Sequence, residues 1–390
     1  MNGWSTEPLG AICTIGIGKT PSRDRSEYWG PECPWLSIAD MNQGRDLLTT
    51  KETITPRAVQ ETNMKRVEPG TVLLSFKLSV GKVGIAQTPM YTNEAIARLP
   101  IRDNYRVLPE YLYWALQSID LTRTADRAAK GVTLNKAKLE EVGIPVPPLP
   151  EQRRIAAILD QADALRAKRR TAIAQLDTLA QSIFLDMFGD PRLNPCNWQQ
   201  QHLIDICTSV SDIDHKMPSA VDGGVPMISA KDLRDDGTIA LDGAKQISED
   251  DFARLSRKGR PRRGDIIYSR IGTVGKARIV KTDARFLASY SCCTIKPSPD
   301  HVDAVFLRQL LDSPSTLAQA VGGVRAIGVP DLGLGVIKQF VMIVPPLALQ
   351  REFAQRHAAL EGIRDHQTAS HSHLDQLFTS LQHRAFRGEL

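Results

Sequence analysis

An internal duplication is the feature that most constrains the fold of this chain. Residues 69–85 read PGTVLLSFKLSVGKVGI, and residues 263–279 read RGDIIYSRIGTVGKARI. Gly81 of the first segment and Gly275 of the second lie 194 positions apart (275 − 81 = 194). A repeat with this period predicts that one globular unit occurs twice along the 390 residues.

A proline-rich segment follows each copy and introduces a long helical pattern. It reads IPVPPLPEQR at residues 144–153 and MIVPPLALQR at residues 342–351. Residues 151–188 contain neither proline nor glycine, and their apolar residues recur at heptad spacing, which predicts a coiled-coil seam. With a rise of 1.5 Å per residue, this helix would form a rod of about 57 Å. The order along the chain is therefore module, helix, module, helix.

The heptad pattern places mostly apolar residues on one face of each helix. In the first helix the a positions are Ile155, Ala162, Arg169, Leu176 and Ile183, and the d positions include Ile158, Leu165 and Leu179. In the second helix the a positions are Phe353, Leu360, Gln367, Leu374 and Leu381, and the d positions include Ile363 and Leu377. Because the duplicated unit implies near-two-fold symmetry, we expect the two helices to pair in antiparallel orientation.

Each globular module combines strand and helix patterns. Short runs such as TVLLSF and DIIYSR are bounded by glycine and proline and predict strands, whereas LPEYLYWALQS has helical spacing. The predicted fold class is therefore mixed α/β. We expect two α/β domains, at residues 1–147 and 191–344, separated by two long helical regions at residues 148–190 and 345–390.

Charge and composition leave several classes of function open. The net charge of +5 and the isoelectric point of about 8.8 permit a polyanionic partner but fit a slightly basic enzyme equally well. No run of 18 apolar residues predicts a membrane span, and the N-terminus lacks the pattern of a signal peptide, so a cytoplasmic location is expected. The cysteines form no C-x-x-C pair, and late histidines such as His371 and His373 lack ligand spacing, so no metal site is expected.

The stretch TIGIGKTPSR at residues 14–23 contains the Gly-Lys-Thr that ends a phosphate-binding loop. That loop requires a further glycine five residues before Gly18, and Cys13 occupies this position. The second copy carries no Gly-Lys-Thr at the equivalent place either. Motifs of adenine methyltransferases, metal-dependent nucleases and Ser/His/Asp hydrolases are also missing, which favours a binding protein without catalytic residues and without a cofactor of its own.

The repeated element Ser…Val-Gly-Lys allows two interpretations. Ser75 and Lys82 in the first copy correspond to Ser269 and Lys276 in the second, with the basic residues Lys77 and Arg270 between them. The element could present hydroxyl, backbone N–H and ammonium groups to phosphate. It could equally be a glycine turn between two strands that leaves the lysine in water.

Polar loops at equivalent places in the two copies supply further candidate DNA contacts. In the first module these are Lys19, Thr20, Ser22, Arg23, Arg25, Gly131, Asn135 and Lys136, and in the second Ser211, Asp212, Asp214, His215, Lys216, Gly323 and Arg325. Two domains that read different base sequences would need loops at equivalent positions with different side chains. Unconstrained surface loops would differ in the same way.

The chain resembles the DNA specificity subunits of type I restriction-modification systems. The residues that carry the resemblance are GKTPSR, WLSIADM, SVGKVG and above all IPVPPLPEQRRIAAILDQADAL at residues 144–165, and the duplicated layout matches over essentially the whole chain. The second copy departs at Ala348 and Leu349, which replace the Pro-Glu of the first copy but leave Gln350 and Arg351 in place.

The resemblance implies a non-catalytic subunit that reads a bipartite site on double-stranded DNA. Each module would recognise one half-site, and the helices would set the spacing and dock two methyltransferase subunits. Those partners would use S-adenosylmethionine to methylate adenine, and two restriction subunits using ATP and magnesium could join them. The helix residues expected to serve these partners are Gln152, Arg153, Ile155, Ile158, Leu165, Leu176, Gln350, Arg351, Phe353, Ile363, Leu374 and Leu377.

Two other functions remain compatible with the sequence alone. One is a protein-interaction scaffold that carries two globular modules on a coiled coil and does not bind DNA. The other is an enzyme whose motifs are no longer recognisable. Salt-dependent DNA binding would separate a reader from a scaffold, and methylation by the purified chain without a partner would identify an enzyme.

Overall fold

The chain folds into two compact units. The computed structural model describes residues 4–124, 126–128, 131–325 and 328–390, and the side chains of residues 123–133 and 325–327 lie outside this description. The first unit comprises Met1–Arg170 together with Ala369–Leu390, and the second comprises Thr171–Thr368. Each unit therefore combines one globular module with portions of both long helices.

The first unit contains thirteen strands among its described residues. They are β1 (Ser5–Pro8), β2 (Gly16–Ile17), β3 (Trp29–Leu36), β4 (Asp46–Leu47), β5 (Glu52–Ile54), β6 (Val72–Ser75), β7 (Lys77–Leu78), β8 (Val83–Ala86), β9 (Tyr91–Thr92), β10 (Ile96–Leu99), β11 (Asp126–Ala128), β12 (Gly131–Thr133) and β13 (Gly143–Val146). Its helices are α1 (Leu9–Ile12), α2 (Pro56–Glu61), α3 (Pro109–Ser118), α4 (Lys136–Glu140) and the start of α5 (Leu149–Phe188).

The central sheet of this unit has the strand order β2-β10-β6-β8-β4. All four residues of β6 and of β8 are buried, which accounts for the unbroken apolar runs in their sequences. A three-stranded sheet, β5-β3-β9, lies beside it, and smaller sheets join β11-β12-β7 and β1-β13. The last pairing ties the start of the module to the segment that enters α5.

The second unit repeats this plan. Its strands are β14 (Gln199–His202), β15 (Cys207–Ser211), β16 (Val225–Ile228), β17 (Lys245–Ile247), β18 (Ile266–Ser269), β19 (Ala277–Ile279), β20 (Leu287–Ala288), β21 (Cys292–Pro297), β22 (Val324–Arg325), β23 (Asp331–Leu332) and β24 (Val341–Val344). Its helices are α6 (Glu249–Gly259), α7 (Ala304–Leu311), α8 (Pro314–Gly323), α9 (Leu334–Lys338) and α10 (Leu347–Ala385), whose last part belongs to the first unit.

The two units share a sheet topology. The order β15-β21-β18-β19 matches β2-β10-β6-β8, and β17-β16-β20 matches β5-β3-β9. The pair β14-β24 matches β1-β13 in the same way. The mixed α/β class and the internal repeat predicted from the sequence are thus confirmed.

The two long helices run antiparallel within each unit. In the first unit Arg166 Nε of α5 donates to Asp375 Oδ1 of α10 at 2.6 Å, and Arg154 donates to the backbone oxygen of Leu390 at 2.9 Å. In the second unit Arg364 of α10 pairs with Asp177 of α5 at 3.6 Å. The predicted antiparallel pairing is therefore present, with residue numbers rising along one helix as they fall along the other.

The face that each helix buries differs in part from the predicted a/d seam. Ile155, Ala156 and Leu159 are buried, whereas the predicted d residue Leu165 is 55% exposed. Among the other d positions, Leu179, Ile363 and Leu377 are also exposed. The helices pack against sheet and α3 or α7 as well as against each other, so the buried stripe turns away from d. All four of these apolar side chains are therefore exposed.

Two further sequence expectations can be placed on the fold. Burial raises the pKa of the Cys13 and Cys207 thiols to about 12, as expected for reduced, inert core cysteines. Among the described residues, no helix is both long enough and apolar enough to cross a membrane.

Candidate nucleic-acid interface

The repeated Ser…Val-Gly-Lys element forms the same closed turn in both units. Ser75 Oγ accepts from the Lys82 N–H at 2.9 Å, and Ser269 Oγ accepts from the Lys276 N–H at 2.9 Å. Gly81 and Gly275 adopt φ values of +96° and +98°. Only glycine adopts this conformation without strain, which explains why this residue recurs in the two copies.

This geometry favours the structural interpretation of the two serines. Ser75 and Ser269 are both fully buried, and their hydroxyls bond backbone atoms of their own turns. A buried hydroxyl cannot reach a phosphate, so these two predicted DNA contacts are replaced by a role in the turn. The lysines point elsewhere: Lys82 Nζ donates to Asn42 Oδ1 at 2.7 Å and Lys276 Nζ to Asp235 Oδ1 at 2.6 Å.

Gly18 shapes the first polar loop of the first unit through a close backbone approach. A Cβ atom at this position would lie 2.2 Å from the Asn93 oxygen and 2.3 Å from the Thr92 oxygen, so no side chain fits. The neighbouring Lys19 N–H donates to that Thr92 oxygen at 2.8 Å, and Trp35 Nε1 donates to the Lys19 oxygen at 3.0 Å. The glycine of the apparent phosphate loop therefore serves packing against β9.

The cations of this loop are exposed and already paired with glutamates. Arg23 makes a two-pronged contact with Glu52 and lies 3.9 Å above the Trp29 ring, and its side chain is 55% exposed. Arg25 pairs with Glu61 at 3.1 Å. Pairs this exposed contribute little to stability, so these arginines can exchange their glutamates for other partners at low cost.

Hydrogen bonding keeps these glutamates charged. The hydrogen bond from Arg23 lowers the pKa of Glu52, and hydrogen bonds from Tyr28 and Arg57 lower that of Glu61 to about 2. The other predicted contacts of the loop are also at the surface: Ser22 is exposed, Thr20 donates to Glu94, and Lys19 Nζ donates to the Thr62 oxygen at 2.6 Å.

Three predicted segments of the first unit converge at one edge of its central sheet. The Gly18 N–H donates to the oxygen of Ile96, which is the strand partner of Ser75. Lys77 of β7 pairs with Thr133 of β12, which brings in the late segment. We call residues 18–25, 75–82 and 131–136 the first loop surface.

Two predicted residues of the late segment have local roles. Asn135 is the N-cap of α4 and accepts from the Lys138 N–H at 2.8 Å. Lys136 forms an ion pair with Glu140 at 3.6 Å, four residues along the same helix. The cap explains why Asn occupies this position, whereas the ammonium of Lys136 remains 54% exposed.

The second unit assembles the same three segments around a buried arginine. Arg270 is only 4% exposed. Its Nε donates to the Leu332 oxygen at 2.9 Å, and its terminal nitrogens contact Asp212 at 3.4 Å and Asp331 at 3.3 Å. Arg270 therefore holds the loops together and cannot itself lie against DNA as predicted. We call residues 211–217, 269–276, 323–325 and 328–331 the second loop surface.

The other predicted residues of the second loop surface are more accessible. The His215 ring stacks on Tyr290 with ring centroids 5.0 Å apart, and the next residue, Lys216, is exposed. Lys258 holds Asp214 in an ion pair at 2.5 Å and lowers the pKa of its carboxyl. Ser211 is half-buried at the end of β15. The side chain of Arg325 lies outside the described residues, so its contact stays a prediction.

The structure adds two residues that the sequence did not single out. Leu78, in β7, has a φ of +66° and is 62% exposed, an unusual combination for a leucine. Trp29 packs edge-on against Trp35, 5.3 Å between ring centroids, beneath Arg23. The exposure of Leu78 depends on tertiary pairing with β12 and has no signal in the sequence. Trp29, close to the cluster of arginines, could have been suspected as an aromatic platform.

The glutamines predicted to serve partner subunits instead join each module to its long helix. Gln152 accepts from the Leu108 N–H at 2.9 Å and donates to the oxygens of Arg106 and Pro147. Gln350 accepts from the Asp303 N–H at 2.9 Å and donates to the oxygens of His301 and Pro345. Both side chains are fully buried. We call this arrangement the glutamine clamp.

Burial divides the remaining predicted helix residues into two groups. Ile155 and Phe353 are fully buried in the cores of their units, so they cannot face a partner. Ile158, Leu176 and Leu374 are half-buried. Five residues are exposed and remain candidates for contact with other subunits: Arg153, Leu165, Arg351, Ile363 and Leu377.

Comparison with known proteins identifies relatives of the whole chain. The family described as type I restriction modification DNA specificity domain matches residues 1–176 and 195–364. The specificity subunit of the type I restriction enzyme MjaIX from Methanocaldococcus jannaschii is 25% identical over 374 residues, 90% of this chain and 85% of that protein. The EcoR124I/EcoR124II specificity subunit from Escherichia coli is 32% identical over 171 residues, 42% of this chain and 41% of that protein.

Solved structures share the fold. The S subunit of a type I restriction-modification system from M. genitalium has a TM-score of 0.56 at 14% identity and covers 99% of this chain, with 97% of that chain aligned. A chain from a study of complex assembly and conformational transition of the type I system has a TM-score of 0.59 at 16% identity, covering 100% and 99%.

Proposed function

Because this chain belongs to the type I restriction-modification DNA specificity family, and so is a specificity subunit rather than a catalytic one, we propose that its two loop surfaces read the two halves of a split DNA target. The observation that supports this proposal is the convergence of three segments on each of two matching frameworks. The two units share their sheet topology and the Ser–Gly turn, whereas the exposed side chains of the loop surfaces differ. Different donors and acceptors in the same place suit two different base sequences.

The proposed assignment divides the chain as the sequence pattern suggested. Residues 1–147 and 191–344 act as the two recognition domains, and residues 148–190 and 345–390 act as the helical regions. The helices set the spacer between half-sites, so inserting helical residues near Arg169 should change the preferred spacer before it changes either half-site. The exposed apolar residues Leu165 and Leu377 of the first unit, and Leu179 and Ile363 of the second, are the proposed contacts for two methyltransferase subunits.

The chemistry of the complex is assigned to those partners. Methyltransferase subunits use S-adenosylmethionine to methylate adenine, and two restriction subunits, where they are present, use ATP and magnesium. This chain contributes recognition of double-stranded DNA in the cytoplasm and no cofactor. Among the described residues there is no cluster of histidine, cysteine, aspartate or glutamate that could hold a metal ion.

The first loop surface is proposed to bind DNA through Lys19, Arg23 and Arg25, with Trp29 supporting Arg23. Each of the two arginines exchanges its glutamate for a phosphate or a base edge on binding. Lys77 and Lys82 supply further positive charge at the same edge. In the second loop surface, His215, Lys216 and the carboxylates of Asp212 and Asp214 form a mixed set, which suits base-edge hydrogen bonds more than phosphate attraction.

The test compares salt-dependent DNA binding and methylation for matched variants. In the complex with its methyltransferase subunits, Lys19→Ala combined with Arg23→Ala should weaken binding at least tenfold and reduce the salt slope by about 1–2, close to 0.9 for each lost phosphate contact. Arg102→Ala is the control, because Arg102 is exposed but bonds the oxygen of Gly10 in α1, outside the first loop surface.

Methylome sequencing of cells with and without the gene identifies the target. Loss of one bipartite methylated-adenine motif is the expected result. The His215→Ala and Lys216→Ala variants should relax only one half of that motif. Unchanged methylation in cells that lack the gene, or unaltered DNA binding by the Lys19/Arg23 variant, would refute the proposed function.

A further inference from the structure

The second unit contains a cavity of about 350 Å³ where its module meets the two long helices. Its walls come from α5, α7, α10 and β19, including Leu176 and Ala180 of α5 and Leu360 of α10. These side chains give it an apolar side. The lining also includes Arg278, Arg308 and Arg364. A volume of this size holds a small organic molecule.

The equivalent place in the first unit is filled by aromatic side chains. Ala180 corresponds to Phe378 (378 − 180 = 198), and Gln309 corresponds to Trp114 (309 − 114 = 195). The Trp114 and Phe378 rings lie 5.5 Å apart. The guanidinium of Arg166 lies 4.3 Å from the Phe378 ring centre. The second unit keeps the equivalent Arg364 but replaces both rings by alanine and glutamine.

The alignment of these positions rests on contacts as well as on sequence. The glutamine clamp bonds the N–H of Leu108 in the first unit and of Asp303 in the second, which gives an offset of 195 for α3 and α7 (303 − 108 = 195). Arg166 and Arg364 each pair with an aspartate of the other helix, at an offset of 198 (364 − 166 = 198).

The first unit does have a surface depression near this place, and its lining differs. It also measures about 350 Å³, but it is lined by Arg45, Asp46, Leu48, Ile85, Gln87 and Glu110. None of these six residues lies on α5 or α10. The depression therefore sits outside the aromatic layer, whereas the cavity of the second unit reaches into the space which that layer would fill.

Each acidic side chain of the cavity wall is already in contact with a hydrogen-bond donor or a cation. Four acidic side chains contribute, but each is engaged: Asp312 accepts from the Ala277 N–H, Arg278 and Arg308, Glu361 accepts from Lys281, Asp177 pairs with Arg364, and Asp235 accepts from Lys276. Three guanidinium groups and one ammonium group remain with further N–H donors, since arginine and lysine cannot accept.

His357 adds an unsatisfied donor to this wall. It is 8% exposed, and its Nε2 lies 2.7 Å from a terminal nitrogen of Arg308. A guanidinium can only donate, so Nε2 accepts and Nδ1 carries the hydrogen. Nδ1 is buried and has no hydrogen-bond partner among the described residues. The equivalent residue of the first unit is Leu159, which needs none.

We propose that this cavity binds a small planar aromatic molecule that carries an anionic group. The aromatic ring occupies the space that Phe378 and Trp114 fill in the first unit and stacks on Arg364, as Phe378 stacks on Arg166. The anionic oxygens accept from Arg308 and Lys281. The ring thus packs against the apolar side chains of the wall, and the anionic oxygens accept from N–H groups of Arg308 and Lys281 beyond those that bond Asp312, His357 and Glu361.

The test uses indole-3-acetate as the probe and the full chain in isothermal titration calorimetry. We expect a dissociation constant of about 1 mM or below, with indole alone and acetate alone each at least about tenfold weaker. Absence of measurable binding at about 10 mM probe, or equal binding of indole and indole-3-acetate, overturns the proposal.

Matched variants locate the site. Ala180→Phe fills the cavity with the side chain that the first unit uses, and it should weaken probe binding at least tenfold. Ala174→Phe makes the same change at an exposed position of α5 and should leave binding within about twofold. Arg308→Gln, an independent variant, should weaken indole-3-acetate tenfold without affecting indole. Unchanged binding in Ala180→Phe or in Arg308→Gln contradicts the proposal.

Discussion

The two units of this protein solve one packing problem in two ways. Each must join a module to two long helices, and each uses the glutamine clamp to do so. In the first unit the aromatic layer beyond the clamp is formed by Trp114 and Phe378. A second ring pair occurs in both units, with Tyr111 and Phe386 5.6 Å apart in the first and the equivalent Phe306 and Phe188 4.8 Å apart in the second. The layer that is filled in one unit is open in the other.

This difference shows which positions the fold requires and which it leaves free. The clamp glutamines, the buried turn serines and the turn glycines Gly81 and Gly275 are the same in both units. They satisfy buried backbone groups or adopt conformations that other residues cannot. The aromatic residues supply only volume and apolar surface, which several arrangements can provide. The loop surfaces vary most, because nothing in the framework depends on them.

The largest expected effect comes from removing the ring that distinguishes the first unit. Phe378→Ala should destabilise that unit by about 3–5 kcal/mol, because it deletes a buried ring and leaves a cavity beside Trp114. For a unit of this size the melting temperature should fall by about 6–20 °C, measurable by differential scanning calorimetry.

The neighbouring Leu377→Ala is the control for this change, since Leu377 is 55% exposed and should cost little. A small effect of Phe378→Ala, equal to that of Leu377→Ala, would mean that the ring contributes no more than a surface residue. The contrast between a filled and an open layer would then have no energetic basis.

The second prediction concerns the glutamine clamp, which the two units share. Gln152→Ala and Gln350→Ala should each cost about 2–3 kcal/mol in chemical unfolding, because each leaves a buried N–H and two carbonyls without a partner. The two values should agree, since the geometry repeats. The exposed neighbours Arg153→Ala and Arg351→Ala are the controls. Clearly unequal costs for the two glutamines would show that the clamp is not equivalent in the two units.

Much of the architecture could be predicted from the sequence, because it depends on local pattern and repetition. The duplication, the mixed α/β class and the long antiparallel helices follow from constant offsets and from apolar spacing. The exact buried face of the helices could not be predicted from this spacing, since Leu165 at a predicted d position is 55% exposed while Leu159 is buried. Heptad spacing assumes that helices meet only each other, whereas these also meet a sheet and a shorter helix.

The candidate site was predicted less completely, and for a physical reason. The three segments of each loop surface were identified, and the structure brings them together. Residue types alone did not distinguish side chains that bond within the loops from side chains that are exposed to a partner. Ser75 and Arg270 have side chains suited to DNA contact, yet both are buried and bonded within the unit. Burial depends on neighbours distant in sequence, so a single sequence does not reveal it.

The smallest expected effect is a change in the pH dependence of stability, which arises from His357 beside the open layer of the second unit. Burial, together with the nearby Arg308, Lys281 and Arg364, lowers the pKa of His357 below its ordinary value of 6.5, against the opposing attraction of Glu361. The folded state therefore takes up a proton less readily than the unfolded state. The associated stability is fully present above pH 6.5 and is lost as pH falls below it.

His357→Leu introduces the residue that the first unit has at Leu159, and it should remove this dependence. Between pH 7.5 and pH 5.5 the variant should lose less stability than the wild type, because it lacks the group whose pKa is lowered on folding. His366→Leu, an exposed change on the same helix, should leave the pH dependence of the melting temperature as it is. If the His357 variant retains the acid sensitivity of the wild type, other groups in the second unit carry it, and the two layers differ in volume but not in their response to protons.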